Sequence, residues 1–479
     1  MDVDMVASAM PEQTYCIGEF GDKRLSRTGA QLFSRMVEQE TVCLRQLGRD
    51  WATEKRFGRW LHNPNVTRQE IMREGCLKTG KLATGLSVLA IQDTSELNYQ
   101  KHSRRSAGLG KVGNNKDAGL FIHPVLVLDA RSGACLGLAH QHAWVRTKAA
   151  AADYTNLPIE EKESWRWLQA AQAAKKCLDK AEQITIVGDR ESDIYEEWDR
   201  IPDGRTHLLT RVCRDRKLAD GTNLFDWLEA QPAMACYEFE VAARSANESY
   251  VSAGGRNGGS GKRTAHRAQM DIRYGQVSIV RPAKSKAVQK SIALRVVEVR
   301  ELGQSVVEGE EPIHWRLLTT HPIHGVEDAL QIVDWYRERW QIEQLFRTLK
   351  KQGLDMESSQ VEEGENLMKL ASAALQAAVR TLQLTAAREG KTDRPATDVF
   401  EKDDIEVLEN LQPQLEGRTD KQKNPHQQGK LAWAAWTIAR LGGWKGYASQ
   451  VKPGPITMLE GLKRFYAIAQ GWRLAKMWV

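Results

Sequence analysis

The sequence predicts an α/β fold: a mixed sheet with an all-β insertion, flanked by helical domains at the N- and C-terminal ends. Three observations predict it. Between residues 86 and 188, short apolar runs and one Ala-rich stretch follow in the order β-β-β-α-β, and hairpin strands joined to a crossover helix and a further strand make a sheet with both kinds of pairing. Beyond residue 213, a long stretch alternates polar and apolar side chains between glycines, the period of strands. Both ends of the chain instead repeat apolar residues at helical spacing. At roughly 150 residues per domain, the 479 residues divide into three. A helical domain covers 1–80, a sheet domain 81–390 with its insertion at about 214–310, and a second helical domain 391–479.

Each element has a local reason. Asn63-Pro64-Asn65 is a turn, and Thr67-x-x-Glu70 reads as a capping box opening the next helix. Residues 86–91 form a short apolar run closed by Gln92-Asp93. Strand-like runs at 121–128 and 135–145 are separated by the turn Asp129-Ala130-Arg131-Ser132-Gly133. Within 159–182, Trp167, Ala170, Ala171, Ala174 and Leu178 lie at helical spacing. Residues 184–187 read as a buried strand closed by Gly188-Asp189, so an Asp ends the first strand and another ends the fourth. Further strands are expected at 206–212, at 237–243, 270–273, 277–280 and 292–299 in the insertion, and at 314–319. One long helical stretch is expected from near Val326 to about residue 388. Residues 389–430, with Pro395, Pro413 and Pro425, read as a linker with one helix, and 431–479 as helical.

Composition removes several classes. Lys plus Arg number 68 against 62 Asp plus Glu, a net charge of +6, which excludes a histone-like polycation and an acidic disordered tail; local placement must decide on a nucleic-acid partner. The best apolar stretch, 367–387, is interrupted by Lys369 and Arg380, so no membrane span is expected. Met1-Asp2-Val3-Asp4 puts acids where a signal peptide needs bases. The seven cysteines are scattered, with no C-x-x-C pair. That pattern predicts reduced thiols in a cytoplasmic protein, with neither a disulfide framework nor a zinc site.

The most informative spacing lies on the helical stretch from 326. At about 100° per residue, with Tyr336 at zero, Arg339 falls near 300°, Glu343 near 340° and Lys350 near 320°. Trp335, Ile342, Phe346 and Leu349 cover the adjacent arc, so a core seam runs beside a polar edge. Taken alone, that edge reads as a solvent-facing charged stripe. Divalent ions such as Mg²⁺ take hard oxygen ligands, usually one or two carboxylates with water and phosphate oxygens. Two-metal phosphoryl chemistry needs carboxylates converging on ions ~3.5–4 Å apart. Asp93 and Asp189 at two strand ends, with Glu343 from a helix packed on them, would supply three carboxylates. Arg339 and Lys350 would then neutralise neighbouring phosphates, and Tyr336 would hydrogen-bond another. Such an arrangement is nuclease-like.

The same residues carry a resemblance. Asp189-Arg190-Glu191-Ser192-Asp193-Ile194-Tyr195 and Tyr336-x2-Arg339-x3-Glu343-x6-Lys350 resemble the D-R-E-x-D-I and Y-R-E-K signatures of bacterial DDE transposases, which have a ribonuclease H-like fold. Asn63-Pro64-Asn65-Val66, Ile91-Gln92-Asp93-Thr94 and Ile438-Ala439-Arg440-Leu441-Gly442-Gly443 are similar to that family as well. The similarity runs from about residue 17 to 443 and holds only in character over 214–300.

The resemblance implies a ribonuclease H-like sheet domain with Asp93, Asp189 and Glu343 as its catalytic, metal-binding triad. The metal would be Mg²⁺ in a two-metal site, with Mn²⁺ as a substitute. Tyr336, Arg339 and Lys350 would grip transposon-end phosphates. Trp315, 28 residues before Glu343, matches a tryptophan that stacks on a flipped base, and Arg211 matches a DNA-contacting arginine. A strand core residue and a surface ion pair are their plain alternatives. Arg59 lies in a matching context for DNA binding, and the other tryptophans read as packing. Partners would be double-stranded DNA, both end inverted repeats and target, and a second copy of the chain in a synaptic complex, with no membrane. Residues 1–80 would bind DNA ends and 391–479 would dimerise, using Leu431, Ile438 and Leu441 beside Trp433 and Trp436. The implied location is the bacterial cytoplasm, at the nucleoid when DNA-bound. The implied activity is cut-and-paste transposition: water cuts one strand, the freed 3′-OH attacks the other to form a hairpin, and a second water reopens it before strand transfer. A stand-alone ribonuclease H-like nuclease and a catalytically silent DNA-binding inhibitor are the rival readings.

Weaker signals are read conservatively. Gly108-x-Gly110-x-x-Gly113, among Lys101, Arg104, Arg105, Lys111 and Lys116, reads as a flexible basic loop rather than a dinucleotide fingerprint. Gly258-Gly259-Ser260-Gly261-Lys262-Arg263 fails as a P-loop. With Arg256, Lys262, Arg263 and Arg267 against no acid, it reads as a phosphate-tracking loop or as a plain disordered hairpin tip. His140 and His142, lacking a Glu or Cys partner, read as structural.

Overall fold

A computed structural model describes residues 15–102, 107–113, 115–146, 156–241, 243, 263–350, 353–447 and 450–476. Among the described residues, the N-terminal region forms four helices: α1 (Lys23–Gln39), α2 (Leu44–Gly48), α3 (Trp51–His62) and α4 (Arg68–Leu82). Asp22, Asp50 and Thr67 cap α1, α3 and α4 by accepting from the backbone N–H groups of Arg24, Thr53 and Glu70. The Glu70 carboxylate does not complete the expected capping box. It accepts instead from the Glu19 N–H at 2.7 Å and from Arg73 at 2.9 Å.

The sheet follows as β1 (Ser87–Gln92), β2 (Ser95–Asn98), β3 (Gly110–Val112), β4 (Asp117–Asp129) and β5 (Cys135–Trp144). Next come α5 (Trp165–Cys177), β6 (Gln183–Gly188), α6 (Tyr195–Arg200), β7 (Thr206–Arg211) and α7 (Leu224–Glu229). Strands β8 (Ala235–Val241), β9 (His266–Val280), β10 (Ser291–Glu301) and β11 (His314–Thr319) complete it. All 11 strands among the described residues form one mixed sheet in the order β2-β4-β1-β6-β7-β11-β10-β9-β8, with β3 and β5 also on β4. The pairs β1–β6 and β6–β7 are parallel; the rest are antiparallel. The expected insertion is therefore an extension of the central sheet through β11, and it carries the helix α7. Its two runs at 270–273 and 277–280 are one strand, β9, because Tyr274-Gly275 stays paired with β10. Gly275 is needed there: a Cβ would lie 2.5 Å from the Trp227 ring of α7.

The helical stretch expected over 326–388 is three helices: α8 (Val326–Arg337), α9 (Trp340–Leu349) and α10 (Gly364–Ala387). Between α8 and α9, the N–H groups of Arg339, Gln341 and Ile342 bond three residues back, to Tyr336, Glu338 and Arg339. That tightens the turn to 3₁₀ pitch. Beyond α9 the backbone of Lys350 is extended (ψ −153°) and Asp355 is left-handed (φ 54°). Gly353 permits the reversal, since a Cβ there would lie 1.8 Å from the Thr348 carbonyl oxygen. Helix α10 is buried along almost all of its length. Its charges are used internally: Lys369 donates to the Leu61 and Asn63 carbonyls at 2.8 and 3.0 Å, and Arg380 lies over the Tyr15 ring at 3.8 Å. No helix among the described residues is long and apolar enough to cross a membrane.

The C-terminal region holds α11 (Lys402–Leu415), α12 (Leu431–Leu441) and α13 (Pro455–Lys476). Here a dimer contact by α12 is corrected. Leu431, Trp433, Trp436, Ile438 and Leu441 are all buried inside the chain's own core, against α10, α11 and α13. Gly461 allows the closest approach, because a Cβ there would meet the Ile438 carbonyl oxygen at 2.0 Å. We therefore expect Trp433→Ala to destabilise the fold by about 3–5 kcal/mol. In thermal melts the loss should be the same at every protein concentration. A loss that disappeared on dilution would restore the dimer contact.

Candidate functional site

The sheet register brings two acids together. Ile91 of β1 is opposite Val187 of β6 in parallel pairing, so Asp93 and Asp189 leave the C-terminal ends of neighbouring strands at the same level, ~4.8 Å apart in the sheet direction. Asp93 sits at the break between β1 and β2, which run end to end along β4, and its carboxylate accepts from the Thr94 N–H at 2.7 Å. The Asp189 carboxylate accepts from the Glu191 N–H at 2.8 Å. Asp93 and Glu343 are buried, whereas Asp189 is half-buried. Arg339 joins the helix to the sheet: its Nη1 donates to Asp93 Oδ2 at 3.0 Å, and its Nη2 donates to Glu343 Oε1. One guanidinium fork thus spans two carboxylates, with a third at the adjoining strand end. Burial first, then the nearby Asp189, push the Asp93 carboxyl well above its ordinary range, against the pull of Arg339.

As the chain stands, no three His, Cys, Asp or Glu side chains among the described residues are placed to hold an ion; the fork of Arg339 lies between Asp93 and Glu343. The donor chemistry nonetheless suits a hard divalent cation. Two carboxylates face one guanidinium and a third lies at the adjoining strand end, and oxygen is the ligand Mg²⁺ and Mn²⁺ take.

The other expected residues are distributed around this centre. Tyr336 is buried, with its hydroxyl within hydrogen-bonding reach of Arg211. Its ring meets Trp315 edge-on at 5.7 Å, and Trp315 meets Phe239 at 6.0 Å. Arg211 is half-buried and also donates to the His314 carbonyl at 3.1 Å. Arg211, Trp315 and Tyr336 therefore form one cluster beside Arg339. Lys350 caps the far end of α9 and is half-buried. Tyr336 stands in the last turn of α8, near enough to Arg339 and Asp189 for both charges to act on its hydroxyl. Arg59 is exposed on α3, four residues beyond Lys55, which lies over the Trp51 ring at 5.8 Å. Trp51, 72% exposed, and Trp340, 45% exposed, correct the reading of all the other tryptophans as packing.

Two loop readings also change. Residues 110–112 are the strand β3, not loop, while Arg104 and Arg105 lie outside the described residues. Arg263 and Arg267 have acid partners from other strands and loops, Glu310 at 4.0 Å and Glu238 at 3.9 Å. Arg256, Gly258–261 and Lys262 lie outside the described residues. His142 stacks on Trp144 at 5.3 Å. In the D-R-E-x-D-I stretch, Asp193 is fully committed to structure. It is buried against Arg216 and accepts the Cys213 and Arg214 N–H groups.

Sequence reasoning missed a buried network behind the two Asp residues. Arg166 Nε donates to Thr94 Oγ1 at 3.0 Å, which lies 2.9 Å from His123 Nδ1. His123 Nε2 is 3.3 Å from Gln92 Oε1, and Gln92 Nε2 donates to Glu197 Oε1 at 2.8 Å. Ser192 Oγ donates to Glu197 Oε2 at 2.8 Å, and Arg166 closes the ring on Glu191 at 2.6 Å. The flanking residues of both Asp are thereby held by one another. The only visible signal was that Gln92, Thr94, Glu191 and Ser192 border the two Asp residues; His123 and Glu197 are recognisable only once the sheet and α6 are formed.

Residues 168–378 match the family model of a transposase DDE domain. The matched segment runs from α5 into α10 and contains Asp189, Tyr336, Arg339 and Glu343, but begins after Asp93. It is under half of the chain. Among solved structures, the piggyBac transposase synaptic complex with hairpin DNA is 8% identical, covering 81% of this chain and 76% of that chain. Its TM-score is 0.34, too low for a shared fold to follow.

The network predicts a pH effect. Burial raises the Glu197 carboxyl from 4.5 to about 8, against the hydrogen bonds from Ser192 and Gln92. The folded state therefore holds a proton that the unfolded state releases near its ordinary value. Its contribution is complete below that value and is lost as pH rises through about 8, at no more than about 1.4 kcal/mol per pH unit. Urea unfolding should show wild type losing stability between mildly acidic and alkaline pH and Glu197→Gln losing less. Identical profiles would mean that Glu197 does not titrate in this window.

Proposed function

We propose that this chain is a cut-and-paste DNA transposase. It would bind transposon-end inverted repeats as a homodimer in a synaptic complex, cleave them by metal-dependent hydrolysis and hairpin formation, and transfer 3′-OH strands into target DNA. The observation that carries this reading is the convergence of Asp93, Asp189 and the Arg339-held Glu343, two of the three acids lying in the stretch that matches a transposase DDE domain. We read the sheet around β1, β4, β5, β6 and β7 as ribonuclease H-like. Within the family, the Y-R-E-K spacing resembles that of the transposase of the kanamycin-resistance composite transposon, transposon five.

The residues then take defined tasks. Asp93, Asp189 and Glu343 would hold Mg²⁺ or Mn²⁺, which when bound supplies charge stabilisation at the phosphate and an activated water. Arg339 keeps Asp93 and Glu343 neutralised in the free protein, and on releasing them its fork is free for a DNA phosphate beside the scissile one. Arg211 and Tyr336 steady each other and hold the aromatic wall against which Arg339 turns. Trp315, half-buried in that wall, offers a ring face to an unstacked base, a contact worth about 1–3 kcal/mol. Lys350 meets backbone phosphate at the other end of α9. Arg59, with Lys55 and Trp51 on the exposed side of α3, meets the end DNA away from the chemistry. No histidine base is needed, since phosphoryl transfer is chiefly positioning and charge stabilisation.

The test uses purified protein, Mg²⁺ and a plasmid carrying candidate inverted repeats. Wild type should excise the marked segment with hairpin ends, and Asp93→Ala should fall below detection while still binding DNA. Nicking without hairpins or joining would favour the nuclease; binding without cleavage by wild type would favour the silent inhibitor.

A further inference from the structure

Helix α9 has a second working side. Arg339, just before it, and Glu343 face Asp93, but Gln341, Gln344 and Thr348 line an open groove of about 1260 Å³. Helix α8, the end of α10 and the connection between α12 and α13 form the rest of its wall. Six cations line it, Arg131, Arg337, Arg347, Arg388, Lys391 and Lys452, against two acids, Asp334 and Glu338. Asp334 pairs with Arg337 at 3.0 Å. Glu389, beside the groove, is shared by Lys391 at 3.2 Å and Lys452 at 2.8 Å. Counting that third acid, the groove keeps a surplus of three positive charges. The exposed Trp340 indole belongs to the same lining. Arg388 is used partly inside the wall, donating through Nη1 to the Pro453 carbonyl at 2.9 Å, so the surplus positive charge rests mainly on the exposed cations.

An elongated, open, cation-rich groove with a flat aromatic surface suits a polyanion that also carries planar bases. A protein partner of balanced charge would not call for a threefold excess of cations over lining acids. We infer that this groove binds the sugar–phosphate backbone of DNA, at a site separate from the carboxylates. Naming DNA rather than another polyanion rests on the transposase reading. A backbone held there lies about one helix diameter, ~10–12 Å, from the acid carried on the opposite side of α9. That distance lets a second DNA segment be held while the first is at the carboxylates.

Full-length protein and a short fluorescein-labelled duplex without inverted repeats provide the test, read by fluorescence anisotropy across a salt series. Arg131, Lys391 and Lys452 are exposed, so the triple variant Arg131→Ala/Lys391→Ala/Lys452→Ala should melt as wild type does. It should bind about tenfold more weakly or worse at low salt, with a log–log salt slope shallower by about 0.9 for each phosphate that the variant no longer neutralises. The same weakening should appear in an Asp93→Ala background, so the result stands whether or not the carboxylates cut DNA; a failed excision assay with intact groove binding would count against the transposase reading alone. A photocrosslinker attached through Gln341→Cys should capture the duplex in wild-type background. Unchanged affinity and slope would overturn the inference. So would displacement of the duplex by millimolar inorganic phosphate, which would mark a small-anion site. A shift in the monomer–dimer equilibrium of the triple variant with no change in DNA affinity would mark a protein interface and overturn it equally.

Discussion

The guanidinium of Arg339, bonded to Asp93 on one side and Glu343 on the other, is the contact on which the rest of the site depends. Asp93 belongs to the sheet and Glu343 to α9, which packs on α10 and α13, and both are buried. Without a cation between them, two buried carboxylates and the adjoining Asp189 would repel one another in a medium that screens charge poorly. Arg339 makes that concentration of acid tolerable in the free protein. It also keeps α9 in register with the end of β1. It stands within the tight 3₁₀ turn at 338–342.

Behind this contact the protein uses polar groups where a core would ordinarily be apolar. Gln92, Thr94, His123, Arg166, Glu191, Ser192 and Glu197 form one connected set under the two Asp residues. Each member has a partner, so the set rigidifies rather than destabilises. Trp167 packs edge-on against His123 at 4.7 Å, and burial holds that imidazole well below its usual range, hence neutral. A neutral ring is the state in which one nitrogen can accept from Thr94 while the other donates to Gln92. The backing is thus a matter of tautomer and hydrogen-bond direction, not of added charge.

Much of this was legible in the sequence, for identifiable reasons. Strands β1, β6 and β7 announced themselves as apolar runs closed by turn residues, and the Asp at the ends of β1 and β6 were visible because a parallel sheet leaves such residues at one edge. The spacing of Arg339 and Glu343 was legible because they lie one turn apart, close enough for the guanidinium to reach the carboxylate. A helical wheel could not show that the Tyr336 side chain is buried beside Trp315 and Arg211, since those neighbours come from separate strands. The end of α9 was signalled by Gly353, which helical periodicity alone passed over. The burial of α12 was hidden because apolar spacing looks the same on a dimer face and on a core helix; only the approach of α13 through Gly461 decides. The groove along α9 had no local signature at all, since its cations come from five separate segments.

The claim that Arg339 guards a cation site formed by three carboxylates can be measured without any DNA. Mn²⁺ binding, followed by electron paramagnetic resonance of the free ion, should be readily detected in wild type. It should weaken by an order of magnitude or more in each of Asp93→Asn, Asp189→Asn and Glu343→Gln, with melting curves confirming that each variant is folded. Mn²⁺ uptake by the three folded variants equal to that of wild type would contradict the account.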